Sequence, residues 1–262
     1  MKTRVLFALL ILLSACAKPA AVDVTEEKRN GMDNLRNYLA SADVPSTPFH
    51  VRMSLRFGSA EDTRRVTALF WGNGEDRLRL DVMAGIGVTA AKIAEDDRHF
   101  LVYSPNENKA WFFQGTAKPL LRIGVPIPFH LSHLANLLNG RYARVFGKEC
   151  GQGELSQDGL LRCELAGKPG GSLTIDADGL PRLWHENRKD GGWEMRIVYS
   201  EDARGLPHRL MLTAEDGKRA VVLVKEREKP STPFTDGQLR LALPEDTPLL
   251  PLAKYKSVLR GQ

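Results

Sequence analysis

This 262-residue chain has almost no long apolar runs. Apart from Val5 to Leu13, no stretch approaches the roughly 20 apolar residues that a membrane-spanning helix requires. Val5 to Leu13 itself is too short to span. Cysteine is scarce: three in the chain, none in a C-x-x-C pair, which speaks against a dithiol redox centre. No G-x-S-x-G elbow and no phosphate-binding P-loop occurs. His185-Glu186 is not followed by a second histidine at helical spacing, so the zincin pattern is missing. His130 and His133 stand three apart with no third ligand in view, so no metal site and no cofactor are expected. Internal repeats and low-complexity tracts are also absent. The formal charge is only +5, with basic and acidic residues interspersed. That excludes a nucleic-acid surface and leaves at most a weak attraction to anionic headgroups.

The chain does carry an export signal. Lys2 and Arg4 precede the apolar run, and Leu13-Ser14-Ala15 leads into Cys16. This pattern resembles the lipobox of bacterial lipoproteins. The resemblance implies diacylglycerol on the Cys16 thiol, cleavage before Cys16 and acylation of the new amino group. One acyl chain anchors only marginally, at roughly 0.8 kcal/mol per buried methylene, so two or three chains on Cys16 imply a near-permanent tether. Lys2 and Arg4 carry two of the five net charges, leaving +3 on the mature chain. Ala17 rather than aspartate follows the cysteine, which by analogy favours the outer membrane, with the protein facing the periplasm. The expected divisions are a signal peptide over 1–15, a lipid-anchored tether over 16–24, a folded domain over 25–243 and a proline-rich basic tail over 244–262.

An exported chain lives where disulfides persist. Cys150 and Cys163 flank a Gly-rich polar segment that reads as a hairpin loop. A Cys150–Cys163 disulfide is therefore predicted, stabilising by roughly 3 kcal/mol in the chain-entropy picture.

From Thr25 to Ala42, Met32, Leu35, Tyr38 and Leu39 fall at helical spacing, an amphipathic helix with Thr25 as its N-cap. From His50 on the period becomes two. Val51, Met53, Leu55 and Phe57 alternate with polar residues, as do Leu78, Leu80 and Val82, then Trp193, Met195 and Ile197, then Leu239, Leu241 and Leu243. Further strands are predicted at 65–71, 88–94, 98–103, 109–114, 142–147, 160–166, 171–176, 180–186, 208–214 and 219–225, separated by Asp-, Asn- and Gly-rich turns. Pro126 and Pro128 interrupt this pattern. Ser132 to Asn139 then reads as a short helix closed by Gly140. The fold class is mainly β: a curved antiparallel sheet, an open half-barrel, with an N-terminal amphipathic helix and a short lid helix. Alternation alone does not distinguish an interior filled by the chain's own side chains from a hollow one.

Two segments bear on that choice. Leu78 to Gly87 resembles the strand and tip loop of the LolB family of outer-membrane lipoprotein receptors. Gly124-Val125-Pro126-Ile127-Pro128-Phe129, followed by Leu134, Leu137, Leu138 and Gly140, resembles that family's Pro-x-Pro segment and lid helix. The resemblance covers residues 30–145; Ala84 stands where the family has proline, and the cysteine pair and long tail are extra. It implies the LolA/LolB fold and a non-enzymatic chaperone, with acyl chains of lipoproteins held on the concave face. Cargo would come from a soluble periplasmic lipoprotein carrier and pass to the outer membrane. The implied cavity and lid residues are Leu78, Leu80, Val82, Phe100, Val102, Trp111, Phe113, Leu134, Leu138, Met195 and Ile197. The implied membrane-contact loop is Gly85, Ile86 and Gly87. Ile86 between two glycines either inserts into lipid or packs at the sheet end. Besides these partners the protein meets the membrane through lipidated Cys16, binds no nucleic acid and is expected to be a monomer. The competing reading is a structural or assembly lipoprotein whose filled β-core presents an edge or loop to a protein partner.

Overall fold

The computed structural model describes residues 24–85, 87–114, 118–167, 169–187, 192–203 and 205–252. Cys16, Ile86 and the last residues of the tail lie outside them. Helix α1 (Val24–Ala40) runs into a single 3-10 turn at Ser41–Asp43. Strands β1 (Pro48–Gly58), β2 (Thr63–Asn73), β3 (Arg77–Ala84), β4 (Val88–Asp96), β5 (Phe100–Ser104) and β6 (Lys109–Phe113) follow as a meander. Three short helices come next: α2 (Pro119–Arg122), α3 (Leu131–Leu138) and α4 (Tyr142–Phe146). A second meander comprises β7 (Cys150–Leu155), β8 (Leu161–Leu165), β9 (Gly171–Ile175), β10 (Pro181–His185), β11 (Trp193–Tyr199), β12 (Pro207–Ala214) and β13 (Arg219–Glu228). A one-turn helix α5 (Asp236–Leu239) and a short strand β14 (Leu249–Pro251) close the described chain.

All the strands join one sheet in the order β14-β6-β5-β4-β3-β2-β1-β13-β12-β11-β10-β9-β8-β7. The first meander grows outward from β1, the second returns inward to β13, and β13 pairs antiparallel with β1. The sheet does not close: β7 is one edge, and β14, lying parallel to β6, is the other. This topology has a mechanical consequence. The chain leaves the first meander at β6 and must enter the second at β7, on the far side of the sheet. The α2–α4 segment therefore has to cross the concave face.

The two-residue period fixes which side chains face that crossing. Val51, Met53, Leu55 and Phe57 of β1, Leu78, Leu80 and Val82 of β3, Met195 and Ile197 of β11, and Ala220 and Val222 of β13 are all buried in one core. Each large aliphatic side chain so buried contributes roughly 1.5–3 kcal/mol. Helix α1 seals one end through Tyr38, whose hydroxyl donates to the Gly147 carbonyl at 2.7 Å. It packs close because Gly179, at φ +79°, turns the β9–β10 connection where a Cβ would stand 2.4 Å from the Tyr38 nitrogen.

Several expectations are corrected. Met32 does not join the buried stripe of α1; it is 65% exposed, and Asn34 points inward instead, donating to the Gly159 carbonyl. The strand expected at 142–147 is instead helix α4 (Tyr142–Phe146), in which Tyr142, Ala143, Val145 and Phe146 are buried together at helical spacing. Leu239, Leu241 and Leu243 are not a strand either. Leu239 ends α5, whose Thr235–Gln238 capping box starts the turn, while Leu241 packs with Tyr103 and Ala110. The alternation there reflects an extended strap lying on the sheet without a ladder. The Cys150–Cys163 disulfide is present, with Cα atoms 5.2 Å apart. The segment between is less of a loop than the sequence suggested: β7 and β8 pair directly, with Gly153 opposite Cys163.

Candidate functional site

The concave face is apolar and it is covered. Ala68 of β2 and Ala91 of β4 contribute small side chains, each almost wholly buried. Into the space above them the crossing segment inserts Leu120, Ile123, Val125, Ile127 and Phe129, all buried. What remains is an apolar cavity of about 20 Å³, bounded by Met53, Leu80, Val82, Leu120, Ile127 and Leu134 among others. That volume admits about one water-sized sphere and no acyl chain. The hollow expected from the resemblance is thus filled in this conformation, and the filling comes largely from residues 119–129.

That segment is fastened unusually lightly. Its backbone hydrogen bonds among the described residues close on itself: Ile123 to Leu120, Gly124 to Leu121, Val125 to Leu120, and Ile127 to Val125. None of these bonds joins the sheet ladder. Pro126 and Pro128 have no N–H to offer one. The polar fastenings sit at the two ends. At the start, the Lys118 ammonium donates to both carboxylate oxygens of Glu186, at 2.8 and 3.0 Å. Glu186 is 2% exposed and lies just after β10, in the second meander. At the far end, Glu95 of β4 accepts the first two amides of α3, from Leu131 and Ser132, each at 3.0 Å. A carboxylate at a helix N-terminus satisfies otherwise orphaned donors and complements the helix dipole. Carboxylates from opposite halves of the sheet therefore hold the cover at both ends. Between them Arg122 lies over the Phe113 ring, 4.6 Å from its centroid.

A second polar cluster secures α3 and α4. Glu75 accepts from Asn136 at 2.6 Å, from Arg144 at 2.8 Å and from Arg141 at 3.3 Å. Burial works to raise the Glu75 carboxyl, but these donors outweigh it and hold it below its ordinary range. His133 is half-buried on α3, with its Nδ1 buried, 5.7 Å from the His130 ring. Burial first, then His130, push the His133 imidazole below its ordinary value, against the pull of Glu95 and Glu75. A base depressed on folding binds more protons when unfolded, so its share of stability holds above about pH 6.5 and is lost as the pH falls. We expect the thermal midpoint to drop between about pH 7.5 and about pH 5.5 and the drop to shrink in His133→Leu; equal drops in both proteins would assign it elsewhere. His130 also approaches Glu95, at 3.6 Å. Among the described residues no group of three His, Cys, Asp or Glu side chains could hold a metal.

The residues singled out from the sequence fall as follows. Leu80, Val82 and Leu134 border the cavity. Leu78, Phe100, Val102, Trp111, Leu138, Met195 and Ile197 are buried in the same core, and Phe113 is half-buried against it. Gly85 and Gly87 adopt φ +60° and +79°, and a Cβ on either would meet nothing within 4 Å, so these two positions border open space. Val88 beside it is 49% exposed. Ile86 and Cys16 lie outside the described residues. Sequence reasoning missed Glu95, Glu186 and Lys118. Glu95 did leave a signal: it follows Ala91 and Ile93 at inward parity, an acid on the dry face of a strand.

Solved structures share this architecture. A LolA superfamily protein from Nitrosomonas europaea matches with a TM-score of 0.54 at 15% identity, over 80% of this chain and 99% of its own. A domain described as that of an outer membrane lipoprotein-sorting protein, from Vibrio parahaemolyticus, matches with a TM-score of 0.51 at 11% identity, over 82% of this chain and 97% of its own. At such identities the likeness is one of fold: the chain has the LolA/LolB-type half-barrel. No protein-family model and no curated protein matches the sequence. No helix among the described residues is long and apolar enough to cross a membrane.

Proposed function

We propose that this protein is a non-enzymatic carrier, lipid-anchored through Cys16, that accepts acyl chains on its concave face and passes an acylated lipoprotein to the outer membrane from the periplasmic side. One observation carries the reading: residues 119–129 fill the concave face without bonding into the sheet. An occupant that buries more apolar surface can displace them, because the contacts they give up are non-directional. The small residues that share the cavity wall with them, Ala68 and Ala91, leave vacant space once Ile123, Val125 and Ile127 depart. Transfer then runs down a ladder of affinities, from a soluble carrier to this site and on to the bilayer, with no nucleotide or metal.

The test is a fluorescent long-chain fatty acid titrated into the purified protein. Uptake of one or a few chains per protein, and co-purified acyl species in native mass spectra, are expected. The small residual cavity favours a second reading, a filled scaffold that binds a protein partner; no saturable uptake would select it. The loop at 85–87 adds a separable step. Ile86→Glu should leave uptake unchanged and slow delivery to vesicles, since burying one isoleucine in lipid contributes only about 1.5–3 kcal/mol. Normal delivery by Ile86→Glu would remove the loop from the mechanism.

A further inference from the structure

The outer face of the sheet is only half covered. From residue 230 on the chain straps across the first meander: the Trp71 indole donates to the Gln238 carbonyl, Arg79 to the Arg240 carbonyl, and the Ala110 amide to the Pro248 carbonyl. Over β1, β13, β12 and β11 no such cover lies among the described residues. The register there places arginines and half-exposed aliphatics side by side. One row reads Arg65, Arg56, Val221, Met211, Arg196 from β2 to β11. The next reads Ser54, Leu223, Arg209, Val198, with Val198 41% exposed. Arg52 and Arg196 have carboxylate partners in Glu226 and Glu194. Arg56, Arg65, Arg209 and Arg219 have none among the described residues; Arg65 donates only to the Ser54 hydroxyl. Arg56 and Arg65 stand directly opposite each other on adjacent strands, an arrangement that works against the fold unless an anion relieves it.

We propose that this face docks an acidic polypeptide segment of another protein. The chain's own tail does not suit it, because Lys254, Lys256 and Arg260 repeat its charge. A second copy stacked face to face would set arginine against arginine. A membrane fits poorly for geometric reasons. Strand twist of roughly 20–25° per step turns the sheet normal by roughly 80–100° from β2 to β11, so no single plane meets Arg65 and Arg196 together. A flexible acidic chain can follow that turn, pairing carboxylates with the arginines while its aliphatic groups rest on Val221, Met211 and Leu223. This surface is on the opposite side of the sheet from the acyl site and does not depend on it.

The test uses the full chain with Cys16→Ser, so that no acyl group intervenes, and a fluorescent oligoglutamate peptide as probe. Binding that weakens as salt rises is expected, and Arg56→Glu/Arg65→Glu/Arg209→Glu should bind roughly tenfold or more weakly. A control with the same charge change elsewhere, Arg98→Glu/Lys148→Glu/Lys229→Glu, should stay close to the parent. Both triples should melt as the parent does and take up the fatty-acid probe normally. Equal losses in the two triples would reduce the effect to net charge and overturn the proposal. So would no binding by the parent chain, or capture of phosphatidylglycerol vesicles through these arginines in place of the peptide.

Discussion

Glu95→Ala is expected to destabilise the protein by about 3 kcal/mol, since hydrogen bonds to a charged acceptor contribute roughly 1.5–3 kcal/mol each. The carboxylate accepts two successive α3 amides while only 7% exposed. Alanine would leave both donors at a helix start with no acceptor and little water, and would withdraw the negative charge from the positive end of the helix. Glu95→Gln retains one acceptor oxygen and should lose about half as much. Urea denaturation measures both. Because Glu95 also fixes the far end of the 119–129 segment, the same substitution should speed fatty-acid uptake. A Glu95→Ala protein as stable as its parent, with unchanged uptake kinetics, would show that this carboxylate does not hold the segment's far end.

Trp184→Ala should cost more, about 3–5 kcal/mol, as expected for removing a large buried aromatic. The ring is fully buried on β10 and joins three parts of the molecule. It packs against Phe129, at the end of the crossing segment, with centroids 5.2 Å apart, and against Phe146 of α4 at 6.1 Å. Its indole nitrogen donates to the Gly170 carbonyl at 2.9 Å. Loss of the ring leaves a cavity and an unmatched carbonyl together. Trp184→Phe keeps most of the apolar volume and should recover more than half of the loss, mainly forfeiting the hydrogen bond. A loss below about 1 kcal/mol in Trp184→Ala would mean that the helices settle into the vacated space.

The strands were legible wherever one face is dry and the other wet. Val51 to Phe57 and Leu78 to Val82 announce themselves because burial alternates with the backbone pleat. The same signal misled at Leu239 to Leu243, where an extended strap alternates without hydrogen-bonded neighbours, and it hid α4, too short to show a full helical repeat. Strand β8 was read from its alternation at 160–166, whereas its partner β7 was obscured by Gly151 and Gly153. The order of strands was not legible, since pairing β1 with β13 is a contact across most of the chain. Of the site, the apolar wall and the Pro-x-Pro segment could be read, but not that Ile123, Val125 and Ile127 would occupy the space they were expected to cover. Periodicity records which residues avoid water and is silent on whether their neighbours are protein or cargo. Lys118 and Glu186, far apart in sequence, had no local pattern to reveal their pairing.

Hydrogen exchange of residues 119–127, followed with and without a saturating long-chain fatty acid, tests the acyl-binding account most directly. Displacement of the segment should raise exchange there and in the first turn of α3, while amides of β1, β3 and β13 stay protected. Saturable uptake with exchange in 119–127 unchanged, or no uptake at all, would contradict it and leave the concave face as a permanently filled core.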